Sequence, residues 1–388
     1  MSDRKLLFSS LALSFVAICF FGCQKGSNNS NSGSGGFGGT STLTSWAELG
    51  TGANALNANS PIVTMTIDAQ NNIYVAGELI NSNGNLYVAK WNGTTWIQLG
   101  GINAPSNPFN IIYSIITDAQ GNVYAAGEFA NSNGKSYVAK WNGTAWSELG
   151  TGSNALNAND FIHTLAIDGQ GNIYAAGRFT NSNGKKYVAK WDGVSWSELG
   201  TGGNAINASG DILTVRTDAQ GNLYAGGYFT NSSNKYYVAK WNGTAWAELG
   251  SGSNALNAND GIFPITIDSD GNIYAAGNFA NSLNIKYVAK WNGTTWSSIG
   301  SGVNSSPIAG LVVDNAKNIY IGGGGFTLGN GISHWNNTIW SELIGKDGLG
   351  LNANNPVNAM VMDSHGNLYA AGIFTNSSGK YYVAWIHP

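Results

Sequence analysis

Charge is scarce in this 388-residue chain. Only 10% of its residues are charged, against about 25% in a typical soluble domain, and the net charge is −3. Neutral Asn, Ser, Thr and Gly supply the polar surface instead. No block of Lys or Arg stands beyond the first five residues, so the basic footprint that holds nucleic acid is missing. Cysteine is nearly absent too. Cys19 and Cys23 both sit near the N-terminus, which leaves the rest without a disulfide framework or a thiol nucleophile. No Ser stands in a glycine-flanked elbow. The four histidines (His163, His334, His365, His387) show no metal-ligand spacing. These absences argue against an enzyme and against a bound cofactor.

What the chain has in abundance is period. Its 14 tryptophans fall on one lattice, Trp46, Trp91/Trp96, Trp141/Trp146 and so on to Trp335/Trp340 and Trp385. The outer-strand motif returns every 50 residues five times and then after 44. Such self-similarity marks one supersecondary unit repeated, each copy unable to bury its apolar faces alone. In the copy running from Phe161 to Leu199, alternation predicts strands over Ile162–Asp168, Ile173–Phe179, Tyr187–Trp191 and Trp196–Leu199. Gln170-Gly171-Asn172 and Asp192-Gly193 supply the tight turns, and Asn181-Ser182-Asn183-Gly184 a looser one. Seven such blocks predict an all-β, seven-bladed β-propeller of four-stranded antiparallel blades. The chain starts its repeats with a lone fourth strand, Ser45 to Leu49, and ends after a third, Tyr382 to Trp385. The N-terminal strand is therefore expected to pair in the C-terminal blade and close the ring.

The motifs YVAKWNGTxWxELG and DxxGN[IVL]YAAGxF resemble the repeats of kelch-type and galactose-oxidase-like propellers, notably secreted bacterial ones and the fungal cortical polarity marker. The resemblance covers residues 45–388. It implies the propeller fold and leaves the activity open.

The first residues read as a sorting signal. Arg4 and Lys5 precede an apolar run from Leu6 to Gly22 that stops at Cys23. Gly22-Cys23 resembles the end of a bacterial lipobox, which implies lipidation of Cys23 and a membrane anchor at that residue. An uncleaved anchor helix and a plain secreted form are the alternatives. Each places the propeller outside the cytoplasm, as an outer-membrane lipoprotein on the periplasmic or cell-surface side in the leading version. The expected division is a signal peptide over 1–22, the lipidated Cys23 with a flexible Gly/Ser/Asn tether over 23–44, and the propeller over 45–388. A tether of that composition has a typical reach of roughly 25 Å.

Repeated features have mostly structural readings. Asp68, Asp118, Asp168, Asp218, Asp268, Asp314 and Asp363 precede the first turn of each block, where Asp caps backbone N–H groups. Asp268-Ser269-Asp270-Gly271 has the second carboxylate of a calcium loop and lacks its distal Glu. Repeated Asn-Gly-Thr matches a glycosylation sequon and reads more simply as a turn. The tryptophans read as packing between blades, with sugar-stacking platforms as the functional alternative.

Positions that vary inside constant surroundings point further. The slot before the Phe of GxF holds Glu78, Glu128, Arg178, Tyr228, Asn278 and Ile373. Five residues before the repeated Asp stand Val63, Tyr113, His163, Leu213, Phe263, Ala309 and Asn358. Both sets belong near the end of the ring that carries the longer loops, where function concentrates. From these, Glu78, Tyr113, Glu128, His163, Arg178, Tyr228, Phe263 and Asn278, together with Arg216 on the fourth inner strand, form the expected ligand-binding set, with tolerated drift at surface positions as the alternative. The expected role is a monomeric binding or scaffolding module for a protein or glycan. A lectin with one site per blade and a channel-sited hydrolase or lyase are the alternatives.

Overall fold

The computed structural model describes residues 45–102, 110–303, 306–324 and 331–388. The expected signal, Cys23 and the tether lie outside the described residues. Blades are numbered one to seven in chain order, and strands within a blade from inner to outer.

Blade three shows how the repeat folds. Its strands are Ile162–Ile167, Ile173–Gly177, Ala189–Trp191 and Trp196–Glu198, hydrogen-bonded in that order and antiparallel. The first turn depends on Asp168. Its Oδ1 accepts from the backbone N–H of Gln170 and of Asn172, both at 2.9 Å. Its Oδ2 accepts from Asn172 Nδ2 at 2.7 Å and from the Tyr174 hydroxyl at 2.9 Å. The chain then needs a left-handed residue, and Gly171 supplies it with φ 84°. The other six recurring aspartates are bonded to Asn and Tyr in the same way, which identifies them as turn caps.

The outer hairpin settles the Trp geometry. The turn over Asn92–Thr95 is four residues long, so Trp91 stands directly opposite Trp96. Their rings lie 5.7 Å apart at 54°. The indole N–H of each outer-strand Trp then crosses to the preceding blade. Trp196 donates to the Leu149 carbonyl at 2.8 Å, and Trp96 to that of Leu49 at 3.0 Å. The tryptophans are thus staples between blades.

Apolar clusters likewise sit between blades. Ile116, Tyr124 and Val138 of blade two pack with Leu165, Ile173 and Phe179 of blade three. Val361, Ala371 and Val383 of blade seven pack with Met65, Ile73 and Leu79 of blade one. Ala47–Glu48 forms the outer strand of blade seven, with Ala47 opposite Trp385 and Glu48 opposite Ala384. Seven four-stranded sheets therefore form a closed ring with no free edge at the chain ends.

Candidate functional site at the channel mouth

Each inner strand carries a bulge at the position that varies. In blade three, Ile162 pairs with Gly177 and Thr164 with Ala176, leaving His163 without a cross-strand partner in the ladder. A bulge re-aims the extra side chain. The same shift occurs after Ile62, Ile112, Ile212, Ile262, Ile308 and Val357. It brings the chain against the second strand, where a Cβ on Gly177 would lie 2.3 Å from the Phe161 oxygen and 2.7 Å from the His163 nitrogen. The next residue, Arg178, donates its N–H to that same oxygen at 2.9 Å. The two variable sets are thereby bolted together at one end of the ring. The long loops share that end, since Asn159 of an inter-blade loop donates to Thr180 of the neighbouring connection at 3.0 Å.

The mouth of blades two to four is a connected network. The Tyr113 hydroxyl donates to Glu128 Oε2 at 3.0 Å, and its ring lies 5.2 Å from that of His163. His163 Nε2 stands 4.0 Å from Asp211 Oδ2. Arg178 Nε lies 3.6 Å from Asp160 and 3.9 Å from Asp211, and Lys186 Nζ 3.4 Å from Asp211. Lys186 also donates to the Arg178 carbonyl at 3.0 Å. The Arg178 guanidinium sits 5.4 Å from the Phe161 ring centre. Blade five repeats part of this: Asn278 donates to Asp260 at 2.5 Å, and Lys286 to the Asn278 carbonyl at 2.6 Å. Tyr228 bridges the two halves, edge-on to Phe263 at 5.6 Å and 38% exposed.

Burial governs the protonation of these groups. His163 is 5% exposed; burial, and then the charges of Arg178 and Lys186, hold its imidazole down to about 3. Burial raises the Tyr113 phenol, assisted by the charge and hydrogen bond of Glu128 and by the charge of Glu78. Burial also raises Glu78 and Glu128 above the ordinary carboxylate value, although the Tyr113 hydrogen bond and Arg178 partly offset the rise at Glu128.

Of the expected set, the structure brings Tyr113, Glu128, His163 and Arg178 into one network and Tyr228 against Phe263. Asn278 joins the parallel pair on blade five, and Glu78 faces Tyr113 electrostatically. Arg216 sits deeper along the same inner strand. It lies three positions further along its strand than the bulge, opposite Tyr224, and its Nη1 donates to the Val215 carbonyl at 2.7 Å. Sequence reasoning missed Asp160, Asp211, Asp260, Lys186 and Lys286. Their signal was present, because they too occupy positions that differ from block to block. Among the described residues no group of three or more His, Cys, Asp or Glu is placed to hold a metal ion, and no helix is long and apolar enough to cross a membrane.

Fold and mouth define a seven-bladed β-propeller with an asymmetric polar opening. No family model matches the chain, and no curated protein matches it. Solved structures do. The chain is similar to the extracellular domain of a putative hybrid two-component system from B. thetaiotaomicron, at 12% identity and TM-score 0.58, over 88% of this chain and 39% of that one. It thus spans about two fifths of that extracellular domain. It is also similar to a streptogramin B lyase, at 12% identity and TM-score 0.55, over 88% and 96% of the two chains. A third is YCF48 bound to D1 peptide, at 13% identity and TM-score 0.57, over 88% and 94%. At such identities the likeness is one of fold.

Proposed function

We propose that this chain is a membrane-tethered, extracytoplasmic binding module of kelch-like repeat type. It engages a protein or glycan through the channel mouth and its surrounding loops. One observation carries the reading: the repeated blades present a different side chain at each bulge, and two of these, Tyr113 and His163, join Glu128, Arg178, Asp211 and Lys186 in a network that the fold does not require. A rigid scaffold carrying varied residues on one face is how loop-bearing folds make binding sites. Similar propellers named above include the extracellular domain of a putative two-component system and a protein solved with a peptide bound, which supports the binding class. The Gly22-Cys23 junction supports the tether. The test is a glycan array and a pull-down from envelope extracts, run on the parent and on a Tyr113→Ala, Arg178→Ala variant. Retained partners lost in the variant support the mouth, whereas blank results with the parent count against the module. Mass spectrometry of the mature N-terminus tests the lipid on Cys23.

A second reading has its own observation. On the outer rim of blade three a polar groove is lined by Asn181, Asn183, Lys185, Glu198, Thr201 and Asn207. Asn181 Nδ2 donates to Glu198 at 3.0 Å, and the same pairing recurs as Asn131–Glu148, Asn231–Glu248 and Asn376–Glu48. This suits a multivalent lectin that uses these grooves, with the outer-strand indole N–H groups already committed between blades. Calorimetry returning several equivalent sites per chain would favour it over a single mouth site.

A further inference from the structure

The rim groove of blade three has two walls. On one, Asn181 organises the connection between the second and third strands. Its Oδ1 accepts from the backbone N–H of Asn183 at 3.0 Å and of Lys185 at 3.1 Å, and its Nδ2 holds the Glu198 carboxylate. The other wall is a 3₁₀ turn, Gly202–Asn204. It is backed by Asn207, left-handed at φ 44°, whose Nδ2 donates to the Gly202 carbonyl at 2.9 Å. Lys185 and Glu198 both line the groove, and neither is ion-paired among the described residues. The groove thus holds an anchored acceptor and an ammonium donor whose charges cancel.

This combination is unevenly distributed around the ring. Blades two, four and seven repeat the lysine as Lys135, Lys235 and Lys380, and the Asn-bound carboxylate as Glu148, Glu248 and Glu48. The opposite wall recurs with them. Gly152–Asn154, Gly252–Asn254 and Gly52–Asn54 form 3₁₀ turns, and Asn157, Asn257 and Asn57 are left-handed. Among the described residues, 3₁₀ turns occur at these four places alone. Elsewhere the charged pair is broken. Blade one has Asn85 and Gln98 at the two positions, and blade five Ile285 and Ser298. Blade six keeps Glu342 but has no lysine between its second and third strands. The connection folds without the pair: Asn81 and Asn281 cap the backbone of blades one and five as Asn181 does in blade three. In blade five the freed Asn281 Nδ2 donates to the Ser301 carbonyl at 3.2 Å instead. Folding therefore does not account for keeping lysine, glutamate and 3₁₀ turn together in four blades.

We propose that the rim grooves of blades two, three, four and seven, and those alone, each bind a neutral saccharide between the glutamate and the lysine. A hydroxyl both donates and accepts, whereas a carboxylate only accepts and an ammonium only donates. Adjacent sugar hydroxyls can therefore donate to Glu198 and accept from Lys185 at once. A simple anion would meet the glutamate, and a simple cation the lysine. Lys380 also donates to Asn59 at 2.5 Å, which leaves two of its three N–H groups for a ligand. Blades two to four are consecutive, so one polysaccharide chain gains avidity by occupying neighbouring grooves. The inference rests on the lectin reading of the rim and fixes which blades carry its sites.

Equilibrium dialysis of the full chain at neutral pH counts the sites. The probes are the methyl glycosides of glucose, galactose, mannose and fucose at saturating concentration, with glycine as a zwitterionic control. At least one glycoside should reach four molecules per chain, and glycine none. Glu198→Gln and Lys185→Asn, which copy Gln98 and Asn85 of blade one, should each lower the count to three. Gln98→Ala and the Tyr113→Ala, Arg178→Ala variant should leave it at four. Six or seven sites that ignore Glu198→Gln keep the lectin reading and overturn this one. A single site lost in the Tyr113→Ala, Arg178→Ala variant overturns it and leaves the mouth as the binding face. Glycine filling the four grooves overturns the saccharide as their ligand, and no glycoside binding at all overturns the rim sites altogether.

Discussion

The indole N–H of Trp46 donates to the carbonyl oxygen of Leu343, 3.3 Å away and 297 residues distant in sequence. It is the same staple that joins Trp196 to Leu149, made here between the two ends of the chain.

Closure should therefore be separable from local packing. Trp46→Phe keeps most of the buried ring and removes one donor, so it should cost about 1 kcal/mol. Deleting residues 45–50 removes the pairing with Ala384 and Trp385 and the Leu49 N–H bond to Val383. It should cost several kcal/mol by loss of buried apolar area and expose the Ala384–Ile386 edge to association. Denaturant unfolding with size-exclusion chromatography measures both. Equal midpoints for the deletion and the parent would show the closing strand to be dispensable.

The bulge glycine and the turn glycine should respond differently. Gly177→Ala drives a methyl into the Phe161 oxygen and the His163 nitrogen, at a cost of about 2–3 kcal/mol by overpacking. Gly171 has open space around it and a left-handed backbone, so Gly171→Ala should cost about 1 kcal/mol. Gly171→Asn should cost less, because blade one already places Asn71 there at φ 62°. Chemical denaturation of the three variants orders them.

His163 makes the fold acid-sensitive. Its folded imidazole titrates at about 3, below the ordinary 6.5, so the unfolded chain takes up the proton first. Stability is intact above about pH 6.5, falls as pH drops below it, and levels off near pH 3. Tyr113, Asp211, Arg178 and Lys186 all face this ring. His163→Leu, which copies blade four, should flatten the decline between pH 6.5 and 3 in thermal unfolding followed against pH. An unchanged slope would assign the acid sensitivity elsewhere.

Blade three also performs a substitution experiment on its own outer turn. Asp192 Oδ1 accepts from the N–H groups of Val194 and Ser195, both at 2.9 Å, as Asn142 Oδ1 does from Thr144 and Ala145 at 3.0 Å. The Ser195 and Val194 N–H groups hold the Asp192 carboxyl below its ordinary value. Asn142→Asp should accordingly leave the melting temperature at neutral pH equal to or slightly above the parent's. Any advantage should disappear as pH falls through the lowered carboxyl value. A clear loss at neutral pH would contradict the equivalence of the two turns.

Period, alternation and turn chemistry are local, so the blade, its count and the need for Ser45–Leu49 to join Tyr382–Trp385 could be read from residues alone. The Asp168 cap was legible for the same reason: it acts on N–H groups two and four positions away. The mouth was legible only in part. That Tyr113, His163 and Arg178 vary where their neighbours do not is a fact of sequence. That they meet Asp160, Asp211 and Lys186 depends on a bulge that turns one side chain per blade toward the mouth, and on which blades stand side by side. Gly177 was the trace of that bulge, a glycine kept inside a strand because backbone of the bulged inner strand presses on it. Sequence determined the unit and its number; only closure of the ring decided which unlike residues became neighbours, because distances across blades are set by packing and not by position along the chain.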